Sequence, residues 1–130
     1  MTHATAVRTF VAALGTLVAG SALGCGVCID DKIAVVYDDA LVKRALQQHH
    51  VVVFAEPVGP GLKAPALAAL GAAAARSSSI VAGSLRTATE PAALAFALDP
   101  ARQSPGAALA RLERDAGIRG IKLSLLRVMR

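Results

Sequence analysis

Hydrophobic positions change their spacing several times along the chain, and each change marks an element. In residues 30–48, Ile33, Val36, Tyr37, Ala40, Leu41 and Leu46 recur at helical spacing, while Lys32, Asp38, Asp39, Lys43, Arg44 and Gln47 fill the other side. This predicts one amphipathic helix, with Asp30 as its N-cap and Asp31 in its first turn. Val51-Val52-Val53-Phe54-Ala55 follows, apolar without alternation and stopped by Pro57 and Gly59, which predicts a strand covered on both faces. Pro65 and the Ala-Leu run to Arg76 predict a helix with Pro65 near its first turn, broken by Ser77-Ser78-Ser79. Residues 80–89 predict a Gly-interrupted strand, and Glu90-Pro91 turns the chain. Residues 93–98 set Leu94, Phe96 and Leu98 against alanines, a further strand ended by Asp99-Pro100. Ser104-Pro105 opens a helix carrying Leu109 and Leu112 to Ala116, where Gly117 ends it. Residues 118–129 alternate Ile121, Leu123 and Leu125 with Lys122 and Ser124, a final strand.

From residue 49 onward the order is β-α-β-β-α-β. The expected class is α+β, a ferredoxin-like sandwich preceded by an extra N-terminal helix. That helix would run ~28 Å and the strand after it ~26 Å. Folded back antiparallel through a short connector at Gln48-His49, the helix would cover the open sheet face and return its N-terminus toward the loop 58–63.

The chain's first 24 residues stand outside this order. His3 and Arg8 precede an uncharged apolar run from Phe10 to Leu23, and small residues follow at Gly20-Ser21-Ala22 and Gly24. That is the order of a secretory signal peptide over residues 1–24. The run is shorter than the ~20 residues that cross a bilayer, so no lasting membrane span is expected once it is removed. A lipoprotein site at Cys25 is the lesser option, because Leu23 is bulky where a small residue is wanted and Ala22 stands where Leu is usual. The expected location is periplasmic or secreted. The mature chain would comprise a leading segment, 25–48, and a single small domain, 49–130.

Charge narrows the partners. The formal net charge is +5, and loss of Arg8 with the signal leaves thirteen basic residues against nine acidic ones, +4. With one Tyr, three Phe and no Trp, the chain offers no aromatic platform for base stacking, so nucleic acid is not an expected partner. An arginine-rich solvated surface is the reading of the excess.

Chemistry concentrates in Cys25-Gly26-Val27-Cys28, which holds the only two cysteines. So short a loop is a poor structural staple, since it removes little unfolded-chain entropy. Three uses remain open: a soft metal ion gripped by two thiolates, a redox disulfide, or an inert N-terminal end, which would leave the chain a cysteine-independent, non-catalytic interaction module built on its sheet. Soft ligands select Cu(I), whose open two-coordinate site would let a donor or acceptor protein exchange the ion. Zn(II) is the alternative and needs two further ligands, for which Asp30, Asp31 or a histidine are the candidates. His49 and His50 lie at the wrong end of the predicted helix. A thioredoxin-like use meets no strand before the motif and no flanking Trp. The aspartate pairs read as a solvated acidic face beside Lys32, Lys43 and Arg44, and Tyr37 as a packing residue. No nucleophile triad or phosphate-cradling loop is present, so catalysis is not expected.

The segment Phe96-Ala97-Leu98-Asp99-Pro100-Ala101-Arg102-Gln103-Ser104-Pro105, with Ala107-Ala108-Leu109-Ala110-Arg111-Leu112-Glu113 and Ala116-Gly117 after it, resembles heavy-metal-associated domains. In that family the third strand ends in an Asp-Pro-like turn and the next helix opens after Ser-Pro and finishes at Ala-Gly. With the element order, the resemblance covers roughly the C-terminal two thirds of the chain. It implies a ferredoxin-like fold and metal handling without catalysis. The family's Cys-x-x-Cys lies between the first strand and first helix, where this chain has Val58-Gly59-Pro60-Gly61-Leu62-Lys63 and no cysteine. Cys25 and Cys28 are therefore the candidate metal ligands, carried on the preceding helix instead.

Overall fold

A computed structural model describes residues 28–59 and 63–130. Its elements are α1 (Ile29–Ala34), α2 (Asp39–Gln47), β1 (Val51–Val58), α3 (Ala64–Arg76), β2 (Arg86–Thr89), β3 (Ala92–Leu98), α4 (Pro105–Ala116) and β4 (Lys122–Met129). The strands form one four-stranded antiparallel sheet in the order β2-β3-β1-β4. The class is α+β, compatible with a ferredoxin-like arrangement.

The uninterrupted apolar run in β1 is buried as its composition requires: Val51 to Ala55 are all 5 % exposed or less. Val51, Val53 and Ala55 join Leu94, Phe96 and Leu98 of β3 under α3 and α4, which contribute Leu70, Ala73, Leu109 and Leu112. Val52 and Phe54 face the other way, beside Ala93, Ala95 and Ala97, and are covered by Ile33, Val36, Leu41, Val42 and Ala45. The alternation of β3 thus sorts large side chains toward one helical layer and alanines toward the other. The thin alanine face lets the N-terminal helices lie close to the sheet, as the two-faced pattern of β1 demands.

The single helix expected over residues 30–48 is two helices. α1 closes with i→i+3 bonds from Val36 N to Ile33 O, 3.1 Å, and from Tyr37 N to Ala34 O, 3.4 Å. Asp38 then adopts extended geometry (φ −128°, ψ 107°), and its carboxylate accepts the Leu41 N–H at 3.0 Å, capping α2. A short acidic side chain that satisfies the backbone locally competes with helix continuation. Nor is Asp30 the first N-cap. Cys28 takes that position, with no side-chain capping bond.

Two strands are shorter than their patterns. Of residues 80–89, Arg86–Thr89 pair as β2, and Ile80 makes an isolated bridge to Leu98. Between them Gly83 turns the chain at φ +73°. Buried Ser84 takes over the ladder there, its hydroxyl accepting the Ala97 N–H at 3.0 Å and donating to Val81 O at 2.6 Å. The final strand begins at Lys122 rather than residue 118, because Gly117 (φ 63°) caps α4 in the left-handed region and Gly120 (φ 76°) turns the chain again. Conversely β1 runs on through Pro57 to Val58. Its register with β3 ends at Ala55, so the proline lies where β4 alone remains alongside. Gly59 is obligatory: at φ +138° a Cβ would sit 2.2 Å from the Gly120 carbonyl oxygen.

The connection from α2 to β1 places His49 at φ 60°, the one non-glycine residue with positive φ among those described. His49 N donates to Leu46 O at 3.1 Å and His50 N to Ala45 O at 2.9 Å. This is the Schellman pairing, with a histidine where glycine is usual. His49→Gly should therefore raise stability by about 0.5–1 kcal/mol, the left-handed penalty of a Cβ less the extra unfolded-state entropy of glycine. Urea unfolding followed by circular dichroism measures it, and an unchanged or lower midpoint would count against this account of the turn.

Candidate functional site

Cys28 is exposed and is the N-cap residue of α1. Its carbonyl accepts the Lys32 N–H at 3.1 Å, closing the first turn of α1. Two ionic contacts hold α1 across the sheet: Lys32 pairs with Glu56 of β1, and Asp30 pairs with Arg127 of β4 at 3.0 Å. The Lys32–Glu56 pair is mostly shielded, with both side chains under a quarter exposed, whereas Asp30–Arg127 is open to solvent and adds little on its own. A thiol at position 28 is thereby attached to a short helix fixed on β1 and β4. Cys25 and the predicted signal peptide lie outside the described residues.

α1 is only six residues long and carries Asp30 and Asp31 in its first turn. Its N-terminus therefore lends a thiolate little net positive field, since both carboxylates oppose the partial charge of the backbone N–H groups. Among the described residues no three of His, Cys, Asp and Glu come together in a metal-holding group. The further zinc ligands sought in Asp30, Asp31 or a histidine thus gain no support. His49 and His50 are at the C-terminal end of α2, one in the turn and one entering β1. A two-thiolate site is the arrangement that asks nothing beyond Cys25 and Cys28.

The acidic residues do not form one solvated face. Asp39 pairs with Lys43 at 2.7 Å along α2, but Asp38 reaches away to Arg86 of β2, 2.9 Å from Nη2 and 3.0 Å from Nε. Arg86 in turn donates to the carbonyls of Gly83 and Leu85. Asp38 is thus a clasp, capping α2 with one oxygen and fastening the helical layer to the sheet edge with the other. The Leu41 N–H and then the Arg86 guanidinium hold its carboxyl below the usual aspartate range. Tyr37 closes the same region from outside, its ring stacked on Phe54 at 6.4 Å and 9°. A cap signal was present in the Asp38-Asp39 pair inside the helical run; Arg86 as the long-range partner had none. The enclosed Nδ1 of His50, which has no hydrogen-bond partner among the described residues, likewise left no trace in local sequence.

No helix among the described residues is long and apolar enough to cross a membrane. No family model matches the chain, and no curated protein or solved structure is matched by it either.

The clasp has a pH signature. A carboxyl held below its unfolded value contributes stability that is fully present above about pH 4 and is lost as pH falls through the folded value. Asn caps a helix nearly as well as Asp, so Asp38→Asn removes the charge opposite Arg86 and leaves the cap. Wild type should have the higher urea midpoint at pH 7, and the two midpoints should converge as the solution is acidified below pH 4. A gap that persists or widens in acid would contradict the assignment.

Proposed function

We propose that this chain is an exported, non-catalytic protein of ferredoxin-like fold that binds or hands over a soft metal ion, Cu(I) before Zn(II), through Cys25 and Cys28. The observation that carries the reading is the position of Cys28, an exposed thiol at the N-cap of α1, a helix pinned to β1 and β4 by Lys32–Glu56 and Asp30–Arg127. An anchored sulfur beside a second one three residues earlier gives a soft cation a two-coordinate site, and exposure gives a partner's ligands a way in. The sheet order β2-β3-β1-β4 supports the ferredoxin-like scaffold. The heavy-metal-associated resemblance rests on the Asp99-Pro100 turn, the Ser104-Pro105 opening and the Ala116-Gly117 close. Two of these do the local work expected of them: Ser104 Oγ accepts the Ala107 N–H at 3.3 Å, and Gly117 caps α4.

A second reading, a cysteine-independent interaction module, is favoured by α3. Its exposed residues Ala64, Pro65, Ala68, Ala72 and Ala75 present no charge to solvent before Arg76. Thiol–disulfide exchange by the same cysteines has no separate observation in its favour.

Titration of the reduced chain with Cu(I) against a competing chelator separates these. Wild type should retain one ion per chain, and Cys25→Ser/Cys28→Ser should lose at least about tenfold in affinity, the loss of a two-sulfur grip. Equal, weak retention by both would eliminate the metal reading, and insulin reduction lost in the double variant would favour the redox one.

A further inference from the structure

Where α3 begins and α4 ends, two shallow hollows meet at Ile118 and Ile121. The one on the α3 side has a volume of about 450 Å³, within the range of small-molecule sites. Ala66, Ala69 and Ala116 complete its apolar floor, and Lys63 and Arg119 stand on its rim. The neighbouring hollow, about 480 Å³, adds Arg114 and Lys122 with Glu113. Lys122 approaches Glu113 at 3.4 Å, whereas Lys63, Arg114 and Arg119 have no carboxylate within ion-pair distance among the described residues. Four cations therefore surround an aliphatic floor with one carboxylate to offset them.

That combination selects its ligand. Like charges gathered at the rim of a low-dielectric hollow concentrate positive potential over it. An apolar floor of isoleucine and alanine offers nothing to a fully polar anion but accommodates methylene groups, each worth about 0.8 kcal/mol on burial. The cleft between α2 and residues 81–86 is also basic, lined by Arg44, His50 and Arg86, but its enclosed volume is about 40 Å³ and Arg86 is committed to Asp38. We propose that the α3–α4 hollow is a binding site for small amphipathic anions of the aliphatic carboxylate class. The chain would lie on Ile118, Ile121, Ala66 and Ala69, and the carboxylate would meet Arg119, whose guanidinium can donate two parallel hydrogen bonds, with Lys63 as a second cation. The site is independent of the two cysteines.

The probe is decanoate, added below its micellar range to the ¹⁵N-labelled chain, with decanol and decyltrimethylammonium as neutral and cationic comparators. Decanoate should give saturable amide shifts at Ala66, Ala69, Arg119 and Ile121, decanol weaker ones, and the cation none there. Lys63→Glu/Arg119→Glu should weaken decanoate by about tenfold or more without moving signals elsewhere. Arg111→Glu, on a residue that pairs with Asp115 along α4 and does not line either hollow, should leave affinity unchanged. Equal response to decanoate and decanol, non-saturating or scattered shifts, or indifference to the charge reversals would overturn the site. Sedimentation with phosphatidylglycerol vesicles in the absence of a saturable decanoate response would also overturn it, and assign the basic end to a membrane surface instead.

Discussion

Strand β1 cannot be half-exposed. Its residues Val51 through Ala55 point alternately to the two sides of the sheet, and each is apolar. An antiparallel sheet can ordinarily leave one face to water, with polar residues at alternate positions. Here that option is closed, because Val52 and Phe54 would be the residues exposed, backed by Ala93, Ala95 and Ala97 of the neighbouring strand. Burial of a large side chain is worth roughly 1.5–3 kcal/mol, so a missing layer would cost a large share of a small domain's stability. The N-terminal helices are consequently part of the fold's core, and the break at Asp38 lets each half of the layer present its own apolar side to the sheet.

The position of the thiol follows from that need. α1 exists where it does because Ile33 and Val36 belong under the alanine face, and its ionic contacts with Glu56 and Arg127 fix which end of β1 and β4 it approaches. Cys28 is carried to the surface as the residue that starts this helix. Any chemistry of the Cys25–Cys28 pair is therefore tied, through Cys28, to a structural layer. The basic hollow at Ile118 and Ile121 has a different origin. It is built by the start of α3 and the turn after α4, on the layer that covers the opposite face.

Much of this was legible because the signals were local. The unbroken run in β1 announced two-sided cover, the Leu-Phe-Leu alternation of β3 announced which residues faced together, and Ser104, Pro105 and Gly117 marked both ends of α4. The expectation that an N-terminal helix would cover the second sheet face holds, since Leu41, Val42 and Ala45 do so. What failed depended on competition between groups distant in sequence. Asp38 breaks the helix with help from Arg86, 48 residues later. Ser84 interrupts the expected strand ahead of β2 by accepting the Ala97 N–H with its hydroxyl, and the close approach of Gly59 to Gly120 joins two loops that sequence spacing cannot relate. Of the candidate site, the association of Cys28 with the first helix is legible in the sequence, whereas its place as N-cap is not, because Asp30 two residues on carries the stronger capping side chain.

The N-terminal helical layer is indispensable to the sheet, and removing it puts that dependence to the test. A chain beginning at residue 49 retains β1 to β4, α3 and α4 while uncovering Val52, Phe54 and the alanine face of β3. Equilibrium unfolding in urea, monitored by circular dichroism with dye binding as a second probe, should show this chain losing its cooperative transition and binding hydrophobic dye. A cooperative transition at the midpoint of the full chain, with no dye binding, would contradict the claim.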